Sequence, residues 1–163
     1  MQSTPLHLAA VNGDVETIKA LLEDGANVEA HDYEFDTPLA SAMHEGHISA
    51  IEALIEGRAD VDGPCVEQYT PLILAILEDN DDMVEFLLTK GANIHYKVPN
   101  CGMTPLHFAA HYDNLTAAQT LLRYKADHTM EDELGRTPLE LARLCDSPYV
   151  ESLLIHYGKL RAS

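Results

Sequence analysis

Long apolar runs are absent from this sequence. The longest purely apolar stretch, Leu72–Leu77, is far shorter than the roughly 20 residues that a membrane-spanning helix requires. The first residues also lack the basic and apolar regions of a secretory signal peptide. These absences exclude a spanning helix and predict a cytoplasmic location, with the nucleus as the alternative compartment.

Cysteine is scarce as well. The three cysteines, Cys65, Cys101 and Cys145, are odd in number and form no CxxC pair. A disulfide framework needs an even set of cysteines, and structural zinc sites usually contain closely spaced ones. The sequence therefore predicts free thiols, no metal site and no cofactor.

Basic residues are few compared with acidic ones, and this charge imbalance limits the classes of possible partner. The 163 residues include 10 Lys and Arg against 27 Asp and Glu, a formal net charge of −17. Such a charge repels phosphates and anionic lipids, which excludes nucleic acid and membrane surfaces as partners. Because 46% of the residues are hydrophobic and the acids are dispersed among them, we expect a single folded domain over residues 1–163.

The tripeptide Thr-Pro-Leu is present five times at nearly constant intervals. It begins at Thr4, Thr37, Thr70, Thr104 and Thr137, with intervals of 33, 33, 34 and 33 residues. An alanine follows each of these threonines by five residues. This shared spacing indicates tandem repeats. Their approximate bounds are residues 1–32, 33–65, 66–99, 100–132 and 133–163.

Each repeat carries signals for two short helices. Threonine is a good N-cap and proline fits the first helical position, so Thr-Pro marks a helix start. The third helical position holds His7, His107 or Glu140 in three repeats, and Thr137 with Glu140 makes a capping-box pattern. A second capping position, such as Asp14, lies ten residues after each threonine. Two such helices cannot bury their own apolar faces, so the repeats are expected to stack.

Glycine is expected just after the second helix, where the backbone becomes left-handed. Gly25, Gly91 and Gly158 occupy this position, but Arg58 and Lys125 replace glycine in the second and fourth repeats. We therefore expect strained turns at Arg58 and Lys125, or a shift of one of these turns to Gly57. The additional residue of the 34-residue interval precedes the fourth threonine and predicts an altered hairpin there.

Three stretches of the sequence resemble the ankyrin-repeat family. They are Thr-Pro-Leu-His-Leu-Ala-Ala at 4–10, Leu-Leu-Glu-Asp-Gly-Ala-Asn-Val at 21–28, and Asp-Glu-Leu-Gly-Arg-Thr-Pro-Leu at 132–139. The resemblance covers essentially the whole chain. It implies an all-α fold, an ankyrin-repeat solenoid of stacked helix-turn-helix units with hairpin tips. It also implies protein binding through the concave surface of the tips and first helices.

The resemblance further implies which positions face a partner. In the family these lie one, three and four residues before each threonine, and seven and eight residues after it. The predicted partner-binding residues are therefore Tyr33, Glu34, Asp36, His44, Glu45, Glu67, Tyr69, Leu77, Glu78, Met103, His111, Tyr112, Leu134 and Arg136. The same offsets include Leu144 and Cys145. Tyrosines interleaved with carboxylates predict a protein partner with a basic and apolar segment, bound by a monomer.

Other chemistry has weaker support. His44 and His47 could share a metal only with a third ligand that the sequence does not identify. The acidic residues 79–82 lack the glycine and glutamate of a calcium loop. Cys101 and His111 could approach across the first helix of the fourth repeat, but no pocket is indicated for catalysis. We therefore predict that the chain is not an enzyme.

Three classes of function remain after these exclusions. The leading one is a stand-alone adaptor or inhibitor that binds a protein in its groove. The alternative is a regulatory or targeting domain of a larger enzyme or channel, which the absence of a hairpin arm before the first repeat favours. An enzyme in its own right is the third and is disfavoured by the lack of a catalytic motif.

Overall fold

The computed structural model describes residues 3–33, 36–63, 65 and 68–161, which contain ten α-helices and no β-strand. The helices are α1 (Pro5–Val11), α2 (Val15–Glu23), α3 (Pro38–His44), α4 (Ile48–Glu56), α5 (Pro71–Leu77), α6 (Asp81–Thr89), α7 (Pro105–His111), α8 (Leu115–Arg123), α9 (Pro138–Leu144) and α10 (Pro148–Arg161). One pair follows each Thr-Pro-Leu start, which confirms the predicted all-α repeat class. None of the described helices has both the length and the apolar character needed to cross a membrane.

The chain divides into two compact bodies, the N-terminal body (Met1–Pro71) and the C-terminal body (Leu72–Ser163). In the N-terminal body α1 packs on α3 and α2 packs on α4, while α1 also packs on α2 and α3 on α4. Leu6, Ile18 and Leu54 form part of this core and are at most 1% exposed. Burial of each such side chain stabilises the body by about 1.5–3 kcal/mol.

In the C-terminal body α7 packs on both α8 and α9, and α10 packs on both α8 and α9. Helix α6 also contacts α8. Leu106, Leu121 and Val150 lie in this core and are at most 1% exposed. Val84, Leu87 and Leu88, spaced three and four apart, are buried on one face of α6, as their periodicity predicts.

Capping bonds explain where the helices begin. The Thr37 hydroxyl accepts the N–H of Ala40, and Thr4 and Thr137 make the equivalent bond in their repeats. The Asp14 carboxylate caps α2 by accepting the N–H of Thr17. Because such a cap contributes about 1 kcal/mol, the Thr-Pro signal fixes these helix starts locally.

The turns after the second helices have left-handed backbones at the predicted positions. Gly25 and Gly91 have φ of 84° and 90°, while Arg58 and Lys125 have φ of 73° and 68°. The last two residues therefore adopt a conformation that a Cβ atom disfavours. The strain predicted at Arg58 and Lys125 is present in the backbone.

Gly158 does not end a helix, so that prediction was wrong. It lies inside α10, which continues to Arg161. Leu154 is 2% exposed, and the Tyr157 hydroxyl donates to the Leu122 carbonyl at 3.4 Å, so this end of α10 is held against the body. Glycine costs a helix only about 1 kcal/mol, less than the burial of one leucine provides.

We expect Lys125→Gly to raise the free energy of unfolding by about 0.5–1 kcal/mol, because glycine adopts the positive φ without steric cost. Urea unfolding followed by circular dichroism measures the change. Lys125→Ala is the matched control, since it removes the charged side chain but keeps the Cβ, and it should not stabilise. Equal effects of the two substitutions would contradict the assignment to Cβ strain.

The described loops that precede the first helices are closed by a main-chain hydrogen bond. Before α9, the Asp132 N–H donates to the Arg136 carbonyl at 2.9 Å. Before α7, the bond runs from the Val98 N–H to the Met103 carbonyl at 3.0 Å and spans one residue more. Gly102 has φ of 66° in this longer loop. The additional residue of the third interval, before the fourth threonine, therefore enlarges this tip, as predicted.

Candidate functional site

A cavity of about 310 Å³ lies in the N-terminal body among α1, the loop before α3, and α3. Four of the predicted partner-binding residues line it: Tyr33, Asp36, His44 and Glu45. We call this cavity the first groove. Glu34, which was also predicted to face a partner, lies outside the described residues.

The apolar part of the first groove comes from α1. Leu8 and Val11 line it and remain 56% and 40% exposed, beside Tyr33 at 65%. Ser41 also lines it, at a position where the third, fourth and fifth repeats carry leucine or phenylalanine. The small serine side chain therefore leaves space next to an apolar wall. Sequence analysis did not identify Leu8 or Val11, although Val11 stands at the same offset from its threonine as His44.

The polar part of the first groove is acidic. Asp32 accepts the Asp36 N–H at 3.1 Å, and the Asp36 carboxylate lies 3.6 Å from the His44 Nδ1 atom. Glu45 is exposed at the end of α3. Carboxylates beside an exposed leucine and tyrosine suit a cationic segment with an apolar side chain.

The other predicted residues of the N-terminal body are Glu67 and Tyr69. Glu67 lies outside the described residues, and Tyr69 is half-buried. The Tyr69 carbonyl accepts the N–H of Cys65 at 2.8 Å. Burial, with a further contribution from the Asp36 carboxylate, raises the pKa of the Cys65 thiol to about 12. This thiol is therefore protonated at neutral pH.

In the C-terminal body, the ends of α7 and α9 bring together His111, Tyr112, Leu144 and Cys145, which we call the α7–α9 surface. The Cys145 Sγ atom lies 3.1 Å from the His111 Nδ1 atom. The rings of His111 and Tyr112 meet edge to face at 4.6 Å. Tyr112 and Leu144 are 59% and 66% exposed. The surface thus combines exposed apolar groups with a thiol–imidazole pair.

Cys101 is not the cysteine that contacts His111. Its thiol instead donates to the Val98 carbonyl at 3.8 Å. The contact that sequence analysis considered for Cys101 is made by Cys145 from the next repeat, because the packing of α7 on α9 places the C-terminal ends of these helices side by side.

Four further predicted residues lie elsewhere in the same body. Leu134 is 75% exposed on the loop before α9, and Met103 is half-buried before α7. Leu77 is half-buried and Glu78 is exposed at the end of α5. Their roles in binding remain predictions.

Arg136, the last predicted residue, has a structural partner. Its Nε atom donates to the Asp132 carboxylate at 2.8 Å, and the Asp132 side chain is 0% exposed. Burial opposes ionisation of Asp132, but hydrogen bonds from Arg136 and from the Leu134 N–H outweigh it and lower the pKa of this carboxyl. The ion pair therefore orders the loop before α9.

His7 and His107 each connect one repeat to the loop of the next. The Nδ1 atom of each lies 2.8 Å from the hydroxyl of its capping threonine, and the Nε2 atom lies 2.9 Å from a carbonyl, that of Asp36 or Arg136. The Thr104 N–H donates to Nδ1 of His107, so Nε2 carries the proton and donates to the carbonyl. Sequence analysis placed both histidines at the third helical position but did not predict either side-chain contact.

Burial lowers the pKa of His107 below its ordinary value of 6.5, although the Arg136 carbonyl and the Asp132 carboxylate act in the opposite direction. The unfolded chain therefore binds a proton more readily than the folded one, so this histidine makes stability fall as pH decreases below 6.5. We expect a smaller loss of unfolding free energy between pH 7 and pH 5 in His107→Gln than in the parent. Urea unfolding at each pH measures this difference, and parallel profiles would contradict it.

The histidines considered for metal binding have other partners. His44 faces Asp36, and the His47 Nε2 atom lies 2.9 Å from the Val11 carbonyl. Among the residues that the structure describes, no group of three or more His, Cys, Asp and Glu is placed to hold a metal ion.

Comparison with known proteins agrees with this repeat architecture. A family model described as ankyrin repeats (3 copies) matches residues 6–98, and a second, ankyrin repeats (many copies), matches residues 95–142. The chain belongs to the ankyrin-repeat family. Ankyrin repeats generally mediate protein–protein interaction and are typically non-catalytic, so the family supports a binding role at a coarse level.

Individual ankyrin-repeat relatives match only part of the chain. Neurogenic locus notch homolog protein 1 of Danio rerio is 43% identical over 65 residues, which cover 40% of this chain and 3% of the relative. The protein of the same name from Homo sapiens is 41% identical over 66 residues, with the same coverage. An ankyrin repeat and LEM domain-containing protein 1 homolog of Caenorhabditis elegans is 44% identical over 57 residues, 35% of this chain and 8% of the relative.

Proposed function

We propose that the chain is a protein-interaction module whose first groove binds a basic segment carrying an apolar side chain. The observation that supports this proposal is the cavity itself. In it, Leu8 and Tyr33 are exposed next to the carboxylates of Asp36 and Glu45. An aromatic side chain that becomes buried on binding contributes much of the affinity, whereas exposed carboxylates mainly accelerate association.

The space beside Ser41 receives the apolar side chain of the partner. The wall on one side is Leu8, and Tyr33 closes the loop side of the same cavity. A lysine or arginine that flanks this side chain in the partner lies near Asp36 or Glu45.

Selection from a random peptide display library tests the proposal without a known partner. The enriched peptides should contain an isolated large apolar residue flanked by lysine or arginine. Tyr33→Ala and Ser41→Leu should each weaken a selected peptide about tenfold or more, the first by removing an aromatic anchor and the second by filling the space. Tyr149→Ala is the matched control, because Tyr149 is 66% exposed but belongs to α10.

Surface plasmon resonance separates the two contributions to binding. Raising salt from about 50 to about 300 mM should slow association and leave dissociation nearly unchanged, since screening acts on exposed charges. Enrichment of acidic peptides, or binding that is indifferent to both Tyr33→Ala and Ser41→Leu, would reject the first groove as the binding site.

A second candidate is a regulatory or targeting module within a larger protein. The observation that favours it is the small part of each relative that the match covers. The matched stretches make up only 3% or 8% of the length of the relatives described above. The gene that encodes the chain distinguishes the two, since a continuous reading frame into an enzyme or channel domain would favour the module.

A further inference from the structure

The thiol of Cys145 differs from the other two because its neighbour is a base. Its Sγ atom lies 3.1 Å from the Nδ1 atom of His111, and both residues reach the surface, the histidine exposed and the cysteine partly exposed. Cys145 caps the C-terminal end of α9, and His111 is the last residue of α7. An imidazole at this distance can take the thiol proton.

The two other cysteines serve as references in the same chain. Cys65 donates to the Gly63 carbonyl at 3.7 Å, and burial raises the pKa of its thiol to about 12. Cys101 donates to the Val98 carbonyl at 3.8 Å. A carbonyl acceptor stabilises the protonated thiol, which is the unreactive form. A histidine that has taken up the thiol proton instead stabilises the thiolate.

Ionisable residues on the neighbouring segments have partners of their own. The Asp113 carboxylate accepts the N–H groups of Tyr149 and Val150 at the start of α10. On α9 and α10, Arg143 and Glu151 pair with each other. The imidazole of His111 is therefore the base in contact with the Cys145 thiol.

We propose that Cys145 is a site of oxidation by small neutral peroxides, with His111 as the general base. His111 takes the Sγ proton on Nδ1, and the thiolate attacks one peroxide oxygen. A sulfur–oxygen bond forms, the oxygen–oxygen bond breaks, and the leaving hydroxide takes the proton back from the imidazolium as water. With hydrogen peroxide, one thiol and one peroxide give one sulfenic acid and one water.

A neutral oxidant suits the electrostatics of this chain. A net charge of −17 repels anionic reagents such as glutathione disulfide, but it leaves the approach of hydrogen peroxide unaffected. The site is independent of the first groove, which lies in the other body.

Site-resolved trapping of sulfenic acid tests this assignment on the full chain. The reduced protein is treated with hydrogen peroxide in the presence of dimedone, and labelling of each cysteine is followed by peptide mass spectrometry. We expect Cys145 to be labelled about tenfold faster than Cys101, and Cys65 to be labelled slowest. Comparable rates at Cys145 and Cys101 would overturn the proposal.

His111→Ala should slow labelling of Cys145 about tenfold, and added free imidazole should restore part of the rate, because a base in solution can replace the missing ring. His156→Ala is the matched control, since His156 is an exposed histidine on α10, and it should leave the rate unchanged. An unchanged rate in His111→Ala, or a slowed rate that imidazole does not restore, would rule out the histidine as the base.

Discussion

Gly102→Ala is expected to lower the free energy of unfolding by about 3 kcal/mol, the sum of a left-handed backbone cost and an overpacking cost. Gly102 has φ of 66°, and an added Cβ would lie 2.8 Å from the Glu133 nitrogen and 3.2 Å from the Asp132 carbonyl carbon. Both atoms belong to the main chain of the next loop. That loop is fixed here because the Glu133 N–H donates to the Cys101 carbonyl at 3.0 Å, so it cannot move away without losing this bond.

Gly91→Ala is the matched control for the steric part of this effect. Gly91 has φ of 90° in the same body, but an added Cβ would meet no atom within 4 Å. We expect a loss of about 1–2 kcal/mol for this substitution, from the backbone alone. Urea unfolding of both variants gives the difference, and equal losses would mean that the two loops are not in close contact.

His107→Ala is expected to destabilise the chain by about 3–4 kcal/mol, because it combines a cavity with unsatisfied polar groups. The side chain is fully buried. Its removal leaves the Arg136 carbonyl and the Thr104 N–H without their imidazole partner. Thermal and urea unfolding measure the loss.

Substitution of an exposed histidine should lower the free energy of unfolding far less than substitution of a buried one. His156→Ala should change the unfolding free energy by less than about 0.5 kcal/mol, since His156 is exposed. His7→Ala is the test in the other body, where the same two contacts are made at 2.8 and 2.9 Å. A loss below about 1 kcal/mol for His107→Ala would show that water replaces the imidazole at little cost.

The elements that sequence analysis predicted well are those set by neighbours in the chain. Thr37 and Asp14 begin helices by bonding to backbone groups three residues ahead, so their effect is visible in a short window. The positive φ of Arg58 and Lys125 followed from the position of glycine in other repeats. Gly158 was misassigned because the tertiary packing of α10 outweighs its low helix propensity.

The candidate site was less predictable because its shape depends on contacts between repeats. The offsets of partner-facing positions identified Tyr33 and Asp36, but not the space that Ser41 leaves beside Leu8. A serine in one repeat opens a cavity only in relation to the side chains of its neighbour. The Cys145–His111 pair likewise joins residues 34 positions apart, and neither position alone indicates it.

Arg136 shows a further reason why the candidate site was less predictable from the sequence than the helices. Its offset from Thr137 marks it as partner-facing, whereas its side chain is held by the buried Asp132 carboxylate. The same offset places Asp36 in the first groove. Equivalent positions in two repeats thus have different surroundings, which a pattern shared by all repeats does not distinguish.

The histidine contacts with the following loop have a consequence for how this surface can diversify. His7 and His107 bond to main-chain oxygens, those of Asp36 and Arg136. Because every amino acid supplies a carbonyl, the side chain at the acceptor position can change through mutation without loss of the bond. The histidine bond is therefore compatible with an acidic side chain at this position, as at Asp36, and with a basic one, as at Arg136. The identity of the side chain at these two positions is thus separate from the bond that attaches the loop to the preceding repeat.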